Sequence, residues 1–144
     1  MSQENVEQLR AAIETFLAGT SESAREETLS RMAEGWDPDL ELDASETPVT
    51  PLDLSGVYRG RDAVKRFWRE WLAAWETIQF EYDLVDAGDR VVMLFDLRAR
   101  GRSTGIDVPF GKVAWVFTYR GGLLIHQKFY MGQSEALEAV GPEE

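Results

Sequence analysis

The feature that most restricts the fold of this chain is a change of period at Trp75. Before it, Val64, Phe67, Trp68, Trp71, Leu72 and Trp75 recur at a spacing that puts them on one face of a helix. Lys65, Arg66, Arg69, Glu70 and Glu76 take the other face. Beyond it, Ile78, Phe80, Tyr82 and Leu84 alternate with Gln79, Glu81 and Asp83, the period of a strand. Three tryptophans on one helical stripe are too much for a solvated surface, so the helix must pack against the sheet that follows it. A chain with its helices early and its strands late is expected to be α+β.

The rest of the chain fits that plan. Val6, Leu9, Ile13, Phe16 and Leu17 have helical spacing, with Gly19 placed to end the helix. Ser23 and Glu26 form a capping-box pattern for a second helix carrying Leu29, Met32 and Ala33, and Gly35 is placed as its C-terminal glycine. Trp36-Asp37-Pro38 is predicted to be a turn, followed by a short strand around 40–43. Residues 44–56, with Pro48, Pro51 and Gly56, have no periodicity and are expected to form a loop. Val57-Tyr58 is a short strand. After the tryptophan helix, long strands are predicted at 78–84, 91–100, 106–119 and 123–131. Turns are expected at Ala87-Gly88-Asp89, 101–105 and Arg120-Gly121, and a short final helix after Ser134. A length of 144 residues suits one domain, 1–144, with a core of its own.

Composition removes several function classes. There is no cysteine, so disulfides, thiol nucleophiles and thiolate metal sites are excluded. His126 is the only histidine, too few imidazoles for a zinc or non-haem iron site, and no G-x-S-x-G elbow accompanies it. No metal and no cofactor is expected. The net charge is −11, and residues 1–46 hold 12 acids against 3 bases. Such a chain repels phosphate backbones, so nucleic acid is not an expected partner. No apolar run reaches the ~18 residues of a membrane span. Met1-Ser2-Gln3-Glu4 opens without a basic or apolar leader pattern, so a cytoplasmic location is expected.

A curved sheet cannot be filled by helices along its whole concave face, and the space left is a pocket for a small hydrophobic molecule. With a tight turn at Arg120-Gly121, Val116 is expected opposite Ile125 and Ala114 opposite Gln127, sharing a face with Thr118, Phe129 and Met131. The opposite face would carry Val113, Trp115, Phe117, His126, Lys128 and Tyr130. Both faces are substantially apolar, so the outer one is expected to be covered by a second copy in a homodimer. The predicted pocket comprises Trp36, Leu42, Tyr58, Trp68 and Trp71, then Met93, Phe95 and Leu97, and finally Val116, Gln127, Phe129 and Met131. A one-residue slip of the last hairpin would exchange His126 and Gln127 between faces.

Several segments in order carry a resemblance. They are Leu40-Glu41-Leu42 before a proline loop, Gly56-Val57-Tyr58-Arg59-Gly60 entering a helix, and Phe67-Trp68-Arg69-Glu70-Trp71. Asp86-Ala87-Gly88-Asp89-Arg90-Val91-Val92 and the closing Ser134-Glu135-Ala136-Leu137-Glu138-Ala139-Val140-Gly141 follow. Over nearly its whole length the chain resembles the SnoaL-like proteins of the nuclear transport factor 2-like superfamily. The resemblance implies a cone-shaped α+β barrel, frequent homodimers and a deep pocket that hosts unrelated chemistries. These include polyketide ring closure, steroid isomerisation, epoxide hydrolysis, dehydration and plain binding. Relatives that hydrolyse epoxides or close rings place a carboxylate on the pocket face of the last strand, and the matching position here is Phe129. An aspartate frequent before the closing Glu-Ala-Leu is Gly132 here. The Arg and Asp of epoxide hydrolases correspond to about Phe95 and Leu97.

The carboxylates left as candidate general bases are Asp43 and Glu46, where steroid-isomerase-like members keep one near the pocket mouth. The oxyanion donors of such enzymes, a tyrosine and a protonated aspartate as in ketosteroid isomerase, have Phe16 and Ala114 near their places. Three readings follow. One is a cofactor-independent isomerase, cyclase or dehydratase on an apolar carbonyl or polycyclic compound, with Asp43 or Glu46 as base and Gln127 or Tyr58 orienting. The second is a non-catalytic binder of a small hydrophobic ligand. The third is a homodimeric scaffold with a vestigial pocket.

Overall fold

A computed structural model describes residues 2–18, 22–45, 56–102 and 104–141. In chain order the elements are α1 (Ser2–Ala18), a 3-10 turn (Glu22–Ala24), α2 (Arg25–Ala33), β1 (Trp36–Asp43) and β2 (Val57–Arg59). Then come α3 (Arg61–Ala74), β3 (Trp75–Ala87), β4 (Arg90–Gly101), β5 (Asp107–Arg120), β6 (Leu123–Tyr130) and α4 (Gln133–Ala139). Gly19, Glu46, Pro48 and Pro51 lie outside the described residues.

The six strands form one sheet in the order β2-β1-β6-β5-β4-β3. The sheet is antiparallel throughout except between β1 and β6, which run parallel. It is not closed: β2 and β3 are its edges. Four of its five ladders contain a register shift. Extra residues bend a strand and increase its twist, and these shifts are the local source of the curvature. Helices α1, α2 and α3 lie on the concave side, and α4 on the convex side.

α3 follows its sequence pattern. Val64, Phe67, Trp68 and Leu72 are buried in the core, and the full burial of Val64, Phe67 and Leu72 contributes about 1.5–3 kcal/mol each. The helix starts at Gly60, whose φ of 90° is in the region that favours glycine; its N–H donates to Leu40 O at 2.8 Å. It stops one residue earlier than the apolar stripe suggests, because Trp75 is extended and begins β3.

Three local expectations are corrected. The Ser23–Glu26 capping box does not form: Ala24 caps α2 without a side-chain hydrogen bond, and Glu26 instead pairs with Arg69 of α3. Trp36-Asp37-Pro38 is strand, not a free turn. Its turn chemistry survives as an irregularity inside β1, where Asp39 N–H donates to Asp37 Oδ1 at 2.8 Å and the register with β6 shifts between Trp36 and Glu41. Arg61 clamps this irregularity, donating from Nε and Nη2 to Trp36 O at 3.0 and 2.6 Å.

The third correction decides the site. The last hairpin turns at Gly121-Gly122, both with positive φ, and not at Arg120-Gly121. A bulge at Ile125 then shifts the ladder between Thr118 and Tyr119. The facing pairs beyond it are Thr118–His126, Phe117–Gln127, Val116–Lys128 and Trp115–Phe129. Gln127 and Phe129 therefore share the concave face with Trp115, Phe117 and Tyr119, not with Ala114 and Val116. The apolar part of the convex face, Val92, Ala114 and Val116, is met by Ala136 and Val140 at the end of the chain. Val113, Trp115 and Phe117, expected on the outer face that a second copy would cover, instead join the core on the concave side.

Candidate functional site

Between the three helices and the concave face lies a cavity of about 320 Å³. α1 contributes one face to it, including Ala12, Ile13 and Phe16, and Met32 closes it from α2. Trp68 and Trp71 come down from α3. β4 supplies Met93, Phe95 and Leu97; β5 supplies Trp115, Phe117 and Tyr119; β6 supplies Leu124, Gln127 and Phe129. Alternate residues of each strand enter because side chains of a pleated strand point to opposite faces.

The aromatic wall is a connected set of rings. Trp68 meets Phe16 at 5.7 Å, Trp71 at 5.8 Å and Trp115 at 5.8 Å between centroids, and Trp115 meets Phe129 at 5.3 Å. Most of these pairs are edge-to-face, the arrangement that aromatic quadrupoles favour. Phe129 thus presents its ring to Trp115.

Two polar side chains interrupt this wall. Gln127 is 4% exposed and Tyr119 5% exposed. Burial pushes the Tyr119 hydroxyl well above the usual tyrosine range, so it stays protonated and able to donate. No described residue hydrogen-bonds to the Tyr119 hydroxyl or the Gln127 amide. At one end of the cavity Gln8 is committed, donating to Gly122 O at 2.7 Å, and Arg31 is tied to Glu27 at 3.0 Å with most of its side chain in solvent.

Of the residues singled out in the sequence, Trp36, Trp68, Trp71, Met93, Phe95, Leu97, Gln127 and Phe129 line this cavity. Leu42 is fully buried on the same face, paired with Gln127, but lies beneath the lining. Tyr58 packs edge-on against Phe67 at 5.1 Å and does not reach the cavity. Val116 is turned to the convex face by the bulge, and Met131 follows the end of β6, 42% exposed. Ala114 is likewise on the convex face, away from the place of an oxyanion donor. Phe16 does line the cavity.

Asp43 is placed outside. It alternates with Leu42 on β1 and faces Lys128 on the convex side. Its Oδ1 accepts from Ser45 N at 3.0 Å and Ser45 Oγ at 2.6 Å, and its Oδ2 from Lys128 Nζ at 3.4 Å. Burial opposes its charge, but the Ser45 hydrogen bonds and Lys128 outweigh that and hold the carboxyl below the usual aspartate range. A carboxylate so stabilised is a weak base. Glu46 lies outside the described residues. His126 is on the same convex face, with Nε2 3.6 Å from Glu41, which also accepts from Arg59 Nε at 3.0 Å. Among the described residues no group of three or more histidines and carboxylates could hold a metal.

The sequence reading missed Tyr119, Trp115 and Phe117 as lining residues. Their signal was an unbroken i, i+2, i+4 aromatic stripe, of which Trp115 and Phe117 were assigned to the wrong face by the hairpin register.

A family model described as a SnoaL-like domain matches residues 20–127. No curated protein sequence matches the chain. Among solved structures it is similar to an NTF2-like protein of unknown function from Burkholderia pseudomallei. That match has 19% identity and a TM-score of 0.70, and covers 99% of this chain and 100% of the other. It is similar to a candidate SnoaL-like polyketide cyclase from Mesorhizobium loti (18%, TM-score 0.59, 87% and 97% covered). TerC, co-crystallised with polyporic acid, is a further likeness (18%, TM-score 0.61, 91% and 98% covered). These structural likenesses fit the cone-shaped α+β fold. With a match across residues 20–127 on a sheet and helices of this arrangement, the chain belongs to the SnoaL-like domain family.

Proposed function

We propose that this protein binds a small, largely apolar molecule in the concave cavity and performs no proton transfer on it. The observation that carries this is the character of the wall: mainly aromatic and aliphatic side chains, with Gln8, Thr15, Arg31, Tyr119 and Gln127 as its polar members and no carboxylate, imidazole or amine among the described lining residues. General-base chemistry needs a group able to take up a proton within hydrogen-bond reach of the substrate, and Tyr119, held protonated by burial, is not one. Asp43 is turned away and ion-paired, which weakens the isomerase reading. An open volume of about 320 Å³ supports a binding role over a scaffold with a filled interior. Two neighbours, named as a candidate polyketide cyclase and as TerC co-crystallised with polyporic acid, support the binding part of this reading.

The test is a thermal-shift screen against aromatic polyketides, terpenoids and steroids, followed by a turnover assay of every hit. A ligand at about a hundred times its Kd stabilises the native state by about 2.7 kcal/mol. A clear rise in melting temperature without conversion is expected. Reproducible conversion that Asp43→Asn or Glu46→Gln abolishes, with binding intact, would overturn the non-catalytic reading.

A further inference from the structure

Away from the cavity, we propose that the free edge of β3 is a docking site for an extended segment of another protein. The segment alternates basic and apolar residues and joins the six-stranded sheet as a further strand. The site is independent of whether the cavity holds a ligand.

β3 is one of the two edges of the sheet. It runs for 13 residues, Trp75–Ala87, where strands are usually about five to six long. From Glu76 to Ala87, its backbone has no backbone partner outside the β4 ladder among the described residues. Such an edge is a template for another chain, and proteins usually blunt it with lysine, proline or a bulge, or keep it short. β3 has no lysine, proline or glycine, and its one register shift lies at its start, between Trp75 and Thr77. The other edge, β2, has only three residues.

The two sides of this edge determine which segment fits. On the concave side Ile78, Phe80, Tyr82 and Leu84 are half-buried, whereas Met93, Phe95 and Leu97 one strand further in are at most 6% exposed. The apolar face thus ends in a rim still partly in water, which apolar side chains of an added strand would cover. On the convex side Glu81 and Asp83 are exposed, and Asp96 of β4 stands directly opposite Glu81. Like charges in that relation destabilise a sheet. None of these three carboxylates has an ion pair or hydrogen bond among the described residues, while Glu26, Glu41, Asp43 and Asp107 each have a cationic partner. The facing bases, Arg98 opposite Gln79 and Lys112 opposite Asp96, belong to β4 and β5; β3 itself has four acids and no base. A strand paired here sets its side chains about 4.5–5.5 Å from Glu81 and Asp83 between Cβ atoms. Basic residues at alternate positions then meet the carboxylates while the apolar ones fall on the rim. A second copy fits badly, because two β3 strands side by side would oppose two acidic rows.

The probe is the heptapeptide acetyl-Lys-Val-Lys-Val-Lys-Val-Lys-amide, titrated into the full chain by isothermal titration calorimetry at pH 7. A twin has glutamate for every lysine. Two further peptides carry N-methyl groups on the valines alone or on the lysines alone. Amides of alternate residues point to the same edge of a strand, so only one of these two loses its bonds to β3. The lysine peptide is expected to bind with a Kd below about 100 μM, at least about tenfold tighter than its twin. One methylated peptide should weaken at least about tenfold and the other should not. In the Glu81→Lys/Asp83→Lys variant, changed only at exposed positions and expected to keep its melting temperature, the preference should invert in favour of the glutamate twin. A lysine preference that survives this reversal overturns the site. Binding that both methylated peptides retain means adhesion by charge alone and overturns the added strand. Failure of the lysine peptide to bind, or self-association in sedimentation velocity that excludes it and assigns the edge to a second copy, does the same.

Discussion

The two faces of the sheet treat polar groups in opposite ways. On the convex face Asp43, Lys128, Glu41, His126 and Arg59 form ion pairs or hydrogen bonds with one another or with Ser45, and α4 seals the apolar patch beside them. On the concave face Tyr119 and Gln127 are more deeply buried, yet have no partner among the described residues. The same strands build both faces, one residue apart. On the proposed reading, that difference leaves the concave face open for an occupant.

Three substitutions would break or sharpen this contrast. Trp68 joins four other rings, so Trp68→Ala should cost about 3–5 kcal/mol in urea unfolding as well as weaken ligand binding. A loss below about 1 kcal/mol would mean that the aromatic wall is not part of the core. On the other face, Ala136 is fully buried against Val92, Ala114 and Val116. Ala136→Asp should cost about 2–3 kcal/mol, with undocking of α4 as the ceiling, and leave the affinity for a ligand found in the thermal-shift screen unchanged. Lost affinity there would show that the faces are coupled.

The smallest effect is expected from Asp43→Asn, about 1 kcal/mol at pH 7. The folded carboxyl lies below its ordinary value, so its contribution is fully present above about pH 4 and is lost as pH falls through the folded value. The stability difference between the two proteins should therefore hold from pH 7 to about 5 and shrink below about 4. Unfolding measured across that range checks it. A difference that grows in acid would contradict the Lys128 and Ser45 assignment.

Much of the fold was legible because its strongest elements are locally patterned. α3 has a wide apolar stripe, β3 alternates cleanly from Ile78 to Leu84, and β4 from Phe95 to Arg100. The face of β6 was harder to read. Leu123, Leu124 and Ile125 are apolar at every position, so no alternation shows which of them is the extra residue. Gln127 and Phe129 were still placed inward, but Val116 was put beside them, Trp115 and Phe117 were put outside, and Tyr119 was assigned to neither face. The cover of the convex face also escaped the sequence, because α4 has only seven residues and its one fully buried side chain is an alanine. Asp43 looked like a base because strand-end carboxylates near a pocket resemble one another in sequence. Only the pairing of β1 with β6 shows which way this one points.

That pairing also governs how the molecule is assembled. β1 and β6 form a parallel ladder in the middle of the sheet, joining Leu42 to Gln127 across 85 positions of chain. Until β6 is in place, β1 has only the short β2 beside it, and β3, β4 and β5 form a separate meander whose aromatic side lacks its far wall. Contacts of such long separation slow folding, since loop closure must precede the stabilisation they bring. During synthesis the tryptophan-rich surface therefore waits, uncovered on one side, for one of the last strands to emerge, and in that interval it is open to aggregation.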